Sequence, residues 1–254
     1  RNSLVSHAKS IGYIPKSATA SQAIVKLQFN TTGQDPSYIV IEEGTKFVST
    51  ISGTPLPFTN LDTINIFEDE GGDFAGEIKL HQGALKGLEW TYDAISETQS
   101  FLINDPTCDR STIKMTVNDK PWENNQILSE LNNESTIYFV QEGLDAITEI
   151  YFGNGIFGRK PLDGQTIKVT YLSTLGEAGN YASTINEQIF ALESTIDGVY
   201  TSGQVTINTV DISSLGSAQE STDNIKETAP RAYERQDRAV TAEDYKTILI
   251  AKYP

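Results

Sequence analysis

Catalysis and metal binding need side chains that converge, and the candidates in this chain are few. Its 254 residues include two histidines, His7 and His81, and one cysteine, Cys108. The histidines fall in different predicted elements, without cysteine or carboxylate neighbours at ligand spacing, so neither points to a metal centre. Cys108 lies in Asp105-Pro106-Thr107-Cys108-Asp109-Arg110, which reads as a polar turn. The flanking acids raise a thiol's pKa rather than lower it, which makes a poor nucleophile. No Gly-x-Ser-x-Gly elbow occurs, and no base is placed to activate a serine or a cysteine. Glu68-Asp69-Glu70-Gly71-Gly72-Asp73 offers oxygen ligands of the kind calcium takes. It lacks the EF-hand order and its distal glutamate, and reads as a solvated acidic turn.

One stretch has the letters of a nucleotide site: Gly153-Asn154-Gly155-Ile156-Phe157-Gly158, after a strand-like run over residues 147–152. A phosphate cradle requires a helix that opens at the loop. Here Arg159-Lys160-Pro161 and Gly164 follow, and then another strand, so the stretch reads as a hairpin. The partner motifs of a kinase-type loop are absent. A glycosidase would use two carboxylates, and 34 acidic residues make a chance pair easy. Only a cleft that raises one carboxyl pKa would support that reading. Trp90, Tyr92 and Trp122 are the candidates for an aromatic platform in a carbohydrate-binding or adhesive module.

The elements around these residues are mostly strands. Residues 3–11 place Leu4, Val5, Ala8 and Ile11 on one helical face, and Gly12 and Pro15 end the helix. From residue 21 the apolar period becomes two, over 24–29, 38–41, 46–50, 64–67 and 77–80. It continues over 100–103, 113–117, 136–140, 148–152 and 166–171. Residues 117–122 read as a strand, a turn and a docked tryptophan, and 129–131 as a short turn. The glycines of 176–179 read as a flexible joint, and strands are expected over 188–191 and 205–210. Ser217 and Glu220 have the capping-box spacing, for a helix through Ile225 that ends near Pro230. Thr241-Ala242-Glu243-Asp244 opens another, with Tyr245, Ile248, Leu249 and Tyr253 as its apolar stripe.

These signals predict a mainly β fold with flanking helices, of the α+β class. The expected organisation is an N-terminal helix over 1–20, a discontinuous β domain of 21–95 with 176–214, a second β domain of 96–175 inserted in it, and a helical segment over 215–254. Arg1 at the start, and Pro254 interrupting a helical pattern, read as the marks of a fragment of a longer chain.

Charge narrows the partners. The 19 basic and 34 acidic residues leave −15, the wrong sign for nucleic acid or an anionic membrane. No apolar run approaches the roughly 18 residues a membrane helix needs. A single cysteine cannot form an internal disulfide, which fits assembly in a reducing compartment. Hydrophobic residues make up 38%, so the cores are expected to be modest, with some apolar surface completed by partners.

Several blocks carry a family resemblance. Residues 151–164, with Tyr151-Phe152-Gly153-Asn154-Gly155, Gly158, Pro161 and Gly164, followed by Val169-Thr170-Tyr171, resemble the glycine-rich block of baseplate J-like proteins. Asn154 stands where aspartate is commoner. Gly176-Glu177-Ala178-Gly179-Asn180 is similar to the close of that block. Glu220-Ser221, Ile225-Lys226, Ala229-Pro230-Arg231 and Arg238-Ala239-Val240-Thr241 through Asp244-Tyr245 resemble the family's C-terminal signature. Asn2-Ser3-Leu4 to Gly12-Tyr13 is similar to its entry helix. Leu215-Gly216-Ser217-Ala218 departs slightly from the usual glycine pair.

The resemblance implies a non-enzymatic structural part of a contractile-tail baseplate wedge. Such a part sits in the virion after assembly in the host cytoplasm. It builds the inner ring around the hub by contacts with itself and with other wedge and hub proteins, and it needs no cofactor. The expected interface residues are Leu4, Val5 and Ile11 at one end, and Tyr245, Ile248, Leu249 and Tyr253 at the other. Arg231, Arg235 and Arg238 complete the set, since guanidinium forks form paired bonds with carboxylates. The competing expectation is that the apolar stripes pack on their own β domain.

Overall fold

The computed structural model describes residues 1–31, 37–51, 53–69, 71–96, 98–124, 132–183, 185, 192–194, 198–200 and 205–235. The chain opens with helix α1 (Asn2–Ser10). Strands follow as β1 (Gln22–Phe29), β2 (Ile39–Ile41), β3 (Lys46–Ile51), β4 (Thr54–Thr59), β5 (Ile64–Ile66), β6 (Phe74–Gln82), β7 (Ala84–Thr91) and β8 (Phe101–Ile103). Next come β9 (Cys108–Val117), β10 (Lys120–Asn124), β11 (Ile137–Glu142), β12 (Thr148–Phe152), β13 (Thr166–Ser173), β14 (Leu192–Ser194), β15 (Gly198–Tyr200) and β16 (Val205–Ser214). Helix α2 (Thr222–Arg235) is the last described element. The fold is mainly β with few helices, as the alternating pattern predicts.

Two compact units divide the chain. The first holds Arg1–Ser17, Gly87–Thr170 and the chain from Gln219; the second holds Ala18–Lys86 and Tyr171–Ala218. A five-stranded sheet ordered β16-β1-β6-β4-β3 organises the second unit. β1 lies between β16 and β6, antiparallel to both. Its alternation turns Ala23, Val25, Leu27 and Phe29 inward, onto Phe47, Phe58, Ile78 and Leu80. Burying a side chain such as Leu27 or Phe29 contributes roughly 1.5–3 kcal/mol.

A seven-stranded sheet runs in the order β7-β13-β9-β10-β11-β12-β8. β9 and β10 form a hairpin whose central residues, Asn118 (φ 49°) and Asp119 (φ 59°), take the left-handed conformation of a two-residue turn. Trp122 then docks in the interior at 7% exposure, as the sequence predicts. β10 joins β11 in parallel.

Four expectations need correction. Residues 153–165 do not close a hairpin: β12 lies between β11 and β8, and β13 between β7 and β9. The segment therefore crosses the sheet between strands that are not neighbours. Gly176–Gly179 is a 3₁₀ turn with buried glycines, not a flexible joint. Ser217 does not cap a helix; it pairs with Thr19. The cap is Ser221, whose Oγ accepts the Asn224 N–H. Finally, α2 continues through Pro230 to Arg235. The expected strand over 188–191, the turn over 129–131 and the second C-terminal helix lie outside the described residues.

Candidate interaction surfaces

The apolar stripe of α1 has a partner inside its own unit. Val5 and Ala8 are buried against Ile225 and Ala229 of α2, with Leu4, Ile11 and Tyr13 half-buried beside them. Spacings of three and four residues bring each set onto one helix face, and two such faces exclude water from each other. Val5 keeps only 2% of its surface, so α2 already covers it; Leu4 and Ile11 retain part of theirs. The covering element is a helix and not the β domain of the competing expectation. Tyr245, Ile248, Leu249 and Tyr253 lie outside the described residues.

A charged network fixes the same helix from its polar side. Glu142, at the end of β11, is 1% exposed. Its two oxygens accept paired bonds from Arg1, Nε to Oε1 at 2.8 Å and Nη2 to Oε2 at 2.9 Å. Arg110 Nη2 reaches the same carboxylate at 3.4 Å and the Pro15 carbonyl at 2.6 Å. Lys9 Nζ donates to the Glu142 carbonyl. Burial pulls the Arg110 guanidinium below its ordinary pKa, and Glu142 opposes that shift. Beside this cluster, Asn2 and Asp145 exchange side-chain and backbone hydrogen bonds, which hold Asp145 at φ 55°. Sequence reasoning missed Glu142. The signal was its parity, since it falls on the inward face of β11 with Tyr138 and Val140.

Of the arginines expected at an interface, Arg231 pairs with Glu227 one turn earlier at 3.0 Å, with both side chains exposed. Such a pair contributes roughly 0–1 kcal/mol. Lys226 pairs similarly with Asp223. Arg235 closes α2, and its side chain is not described; Arg238 lies outside the described residues.

The glycine loop consumes the N–H groups a phosphate would need. Asn154 Oδ1 accepts from Ile156 and Phe157. Gly155 N–H donates to the Gly158 carbonyl, and Gly158 N–H to that of Asn132. No helix follows, so neither a dipole nor a free row of donors points at an anion. Ile156 and Phe157 project outward at the tip.

The remaining sequence candidates have structural work. Tyr92 and Trp122 are buried, and with Trp90, Phe101 and Phe152 they form a chain of edge-on and stacked ring contacts at 5.3–6.1 Å. Tyr92, Phe101 and Trp122 are core side chains, and Trp90 and Phe152 are half-buried against them. Asp69 Oδ1 accepts the Gly71 and Asp73 N–H groups, so its carboxylate closes the acidic turn. Its pKa falls below the ordinary value because the charged form takes those bonds. Among the described residues, no cluster of three metal-ligating side chains occurs, and no helix is long and apolar enough to cross a membrane.

Cys108 is buried at the start of β9. Burial, and then Asp109 and Asp105, push its thiol up to about 12. The folded protein should therefore leave Ellman's reagent unreacted at mildly alkaline pH, and release one equivalent of thiol once denatured in guanidinium chloride. Prompt reaction of the folded chain would contradict the buried placement.

Comparison with known proteins agrees with the motifs. Residues 87–186 match the family described as bacteriophage baseplate wedge protein gp6, third domain. The chain is 28% identical over 273 aligned residues to baseplate wedge protein gp6 of Enterobacteria phage T4. That alignment covers 100% of this chain and 41% of the relative. A chain in the cryo-EM structure of the anti-feeding prophage baseplate aligns over 100% of this chain and 48% of its own length, at 12% identity. Its TM-score of 0.32 is too low to equate the two folds. The chain is thus similar along its whole length to a phage baseplate wedge protein, and its residues 87–186 are similar to the gp6 third domain.

Proposed function

We propose that this chain is a structural segment of a phage tail baseplate wedge and acts by protein–protein contact rather than catalysis. The observation that carries the reading is the alignment to a baseplate wedge protein over the full chain. The fold supports it, since the residues most suggestive of chemistry are held in turns and cores. The finer reading is that the segment contributes to the inner ring around the tail hub, associates with itself and with other wedge and hub proteins, and assembles in the host cytoplasm into the virion. The insertion of one β domain in the other belongs to the same proposal.

Size-exclusion chromatography with light scattering tests it, on the chain alone and mixed with the other wedge and hub proteins of its phage. Co-elution or self-association is expected. A chain that stays monomeric and co-elutes with none of them overturns the reading. Arg231→Ala combined with Arg238→Ala should weaken association while leaving the melting curve in place, because the Arg231–Glu227 pair is solvated. Unchanged association would remove the arginines from the interface.

A further inference from the structure

The second unit carries an exposed apolar patch held in place by strained backbone. Four large side chains project where residues 175–181 meet the end of β16. Leu175 is 55% exposed, Tyr181 83%, Ile212 54% and Leu215 62%. Backbone bonds join the segments: Tyr181 N–H donates to Ser213 at 2.7 Å, and Ser213 N–H to Ala182 at 3.2 Å. Ala182 and Ser213 turn inward, which leaves their neighbours Tyr181 and Ile212 on the outside.

Tyr181 and Leu215 are both left-handed, at φ 70° and φ 69°. That conformation is unfavourable for residues with a branched or bulky side chain. The surroundings enforce it. Asn180 holds Gly216 in two reciprocal bonds, Nδ2 to the carbonyl and N–H to Oδ1, each 2.9 Å. A Cβ on Gly216 would come within 2.5 Å of the Gly176 carbonyl oxygen, and one on Gly176 within 2.5 Å of that of Ser217. The segments therefore approach as closely as glycine allows. Strain of this kind persists where the surrounding structure over-determines it, which happens at functional positions. A rigid, exposed tyrosine beside leucine and isoleucine has the composition of an interface anchor that loses little freedom on binding.

Charge selects the occupant. Exposed Glu177 and Asp211 lie within the same two segments. The second unit as a whole has four Lys/Arg against fourteen Asp/Glu, a net of −10, whereas the entire chain is −15. A second copy would bring the same acidic surface to the patch and be repelled, while a basic surface would be attracted and steered. We propose that this patch docks a basic protein partner, with Tyr181 and Leu215 as its anchors. The inference rests on the baseplate reading and names a surface and a partner chemistry within it.

The test uses the intact chain and each of the other wedge and hub proteins of its phage, singly, by biolayer interferometry. The decisive variant is Tyr181→Gly with Leu215→Gly. Glycine removes the anchors and also relieves both left-handed positions, so stability is kept or raised while binding is lost. The expected result is a basic partner bound by the wild type, bound roughly tenfold or more weakly by the double variant, and released by added salt. Glu177→Lys with Asp211→Lys should also weaken that complex. Wild-type binding that the double-glycine variant leaves unchanged overturns the patch while the baseplate reading stands. A bound partner that is acidic, or self-association that the variant abolishes, overturns the basic-partner assignment. If no baseplate protein binds the wild type, the patch proposal falls, and if the chain also stays monomeric the baseplate reading falls with it.

Discussion

Replacing Glu142 with alanine is expected to destabilise the first unit by about 3–5 kcal/mol, the range for removing one member of a buried ion pair. The reason is what remains. Glu142 is 1% exposed and accepts from Arg1 and Arg110. Without it, the Arg110 side chain, 10% exposed, keeps its charge with only the Pro15 carbonyl among these partners. Thermal unfolding should show a fall of about 10 °C in the transition of that unit. Glu142→Gln keeps the shape and loses the charge, and should fall between wild type and alanine. Glu142→Leu with Arg110→Met removes the buried charges together and should recover part of the loss, because apolar replacements of similar volume are often tolerated. Equal stability of wild type and Glu142→Ala would mean that the network contributes nothing net.

The second large effect is expected at Gly153. A Cβ there would overlap the carbonyl oxygens of Gly158 and Phe157. Both are backbone atoms, so no side chain can swing aside. Gly158 itself is fixed against Ile137, the first residue of β11. Gly153→Ala should therefore cost about 3 kcal/mol, at the upper end of ordinary substitutions. Gly155 is the control. It has φ +85°, but a Cβ there meets nothing within 4 Å, so Gly155→Ala should cost only about 1 kcal/mol. Urea unfolding of the two variants separates them. Equal losses would show that backbone conformation, and not the closed loop, governs this motif.

The same loop marks where sequence reading stops. Its glycines, the strand before it and the strand after it were all legible, because turn chemistry and a period of two are local. That β12 pairs with β8 and β11 while β13 pairs with β7 and β9 is set by long-range packing, which leaves no local trace. β4 was missed for a different reason. Pro55 and Pro57 argue against an internal strand, yet β4 lies between β3 and β6. The prolines are tolerated because the ladder to β6 includes only Phe58 and Thr59. Leu56 and Phe58 alternate inward. β7 was missed because Leu85, Lys86 and Gly87 interrupt its apolar alternation.

At the helices, Pro230 removes the bond that its N–H would give the Lys226 carbonyl, and local reasoning ends α2 there. The helix nevertheless runs on to Arg235, with Ile225 and Ala229 packed on α1 in the turns before the proline. Of the candidate interface residues, Leu4, Val5 and Ile11 were read correctly as an apolar face. Sequence alone did not identify α2 as what covers them, because the covering residues lie more than two hundred positions away.

That separation bears on the order in which the protein is made. α1 leaves the ribosome well before its partner helix, which begins only at Thr222. The second unit is fully synthesised at Ala218, before any of α2 exists. During that interval Val5 and Ala8 face water, and the first unit waits with its opening helix unmatched. The core between α1 and α2 therefore requires the chain to have been made as far as Ala229.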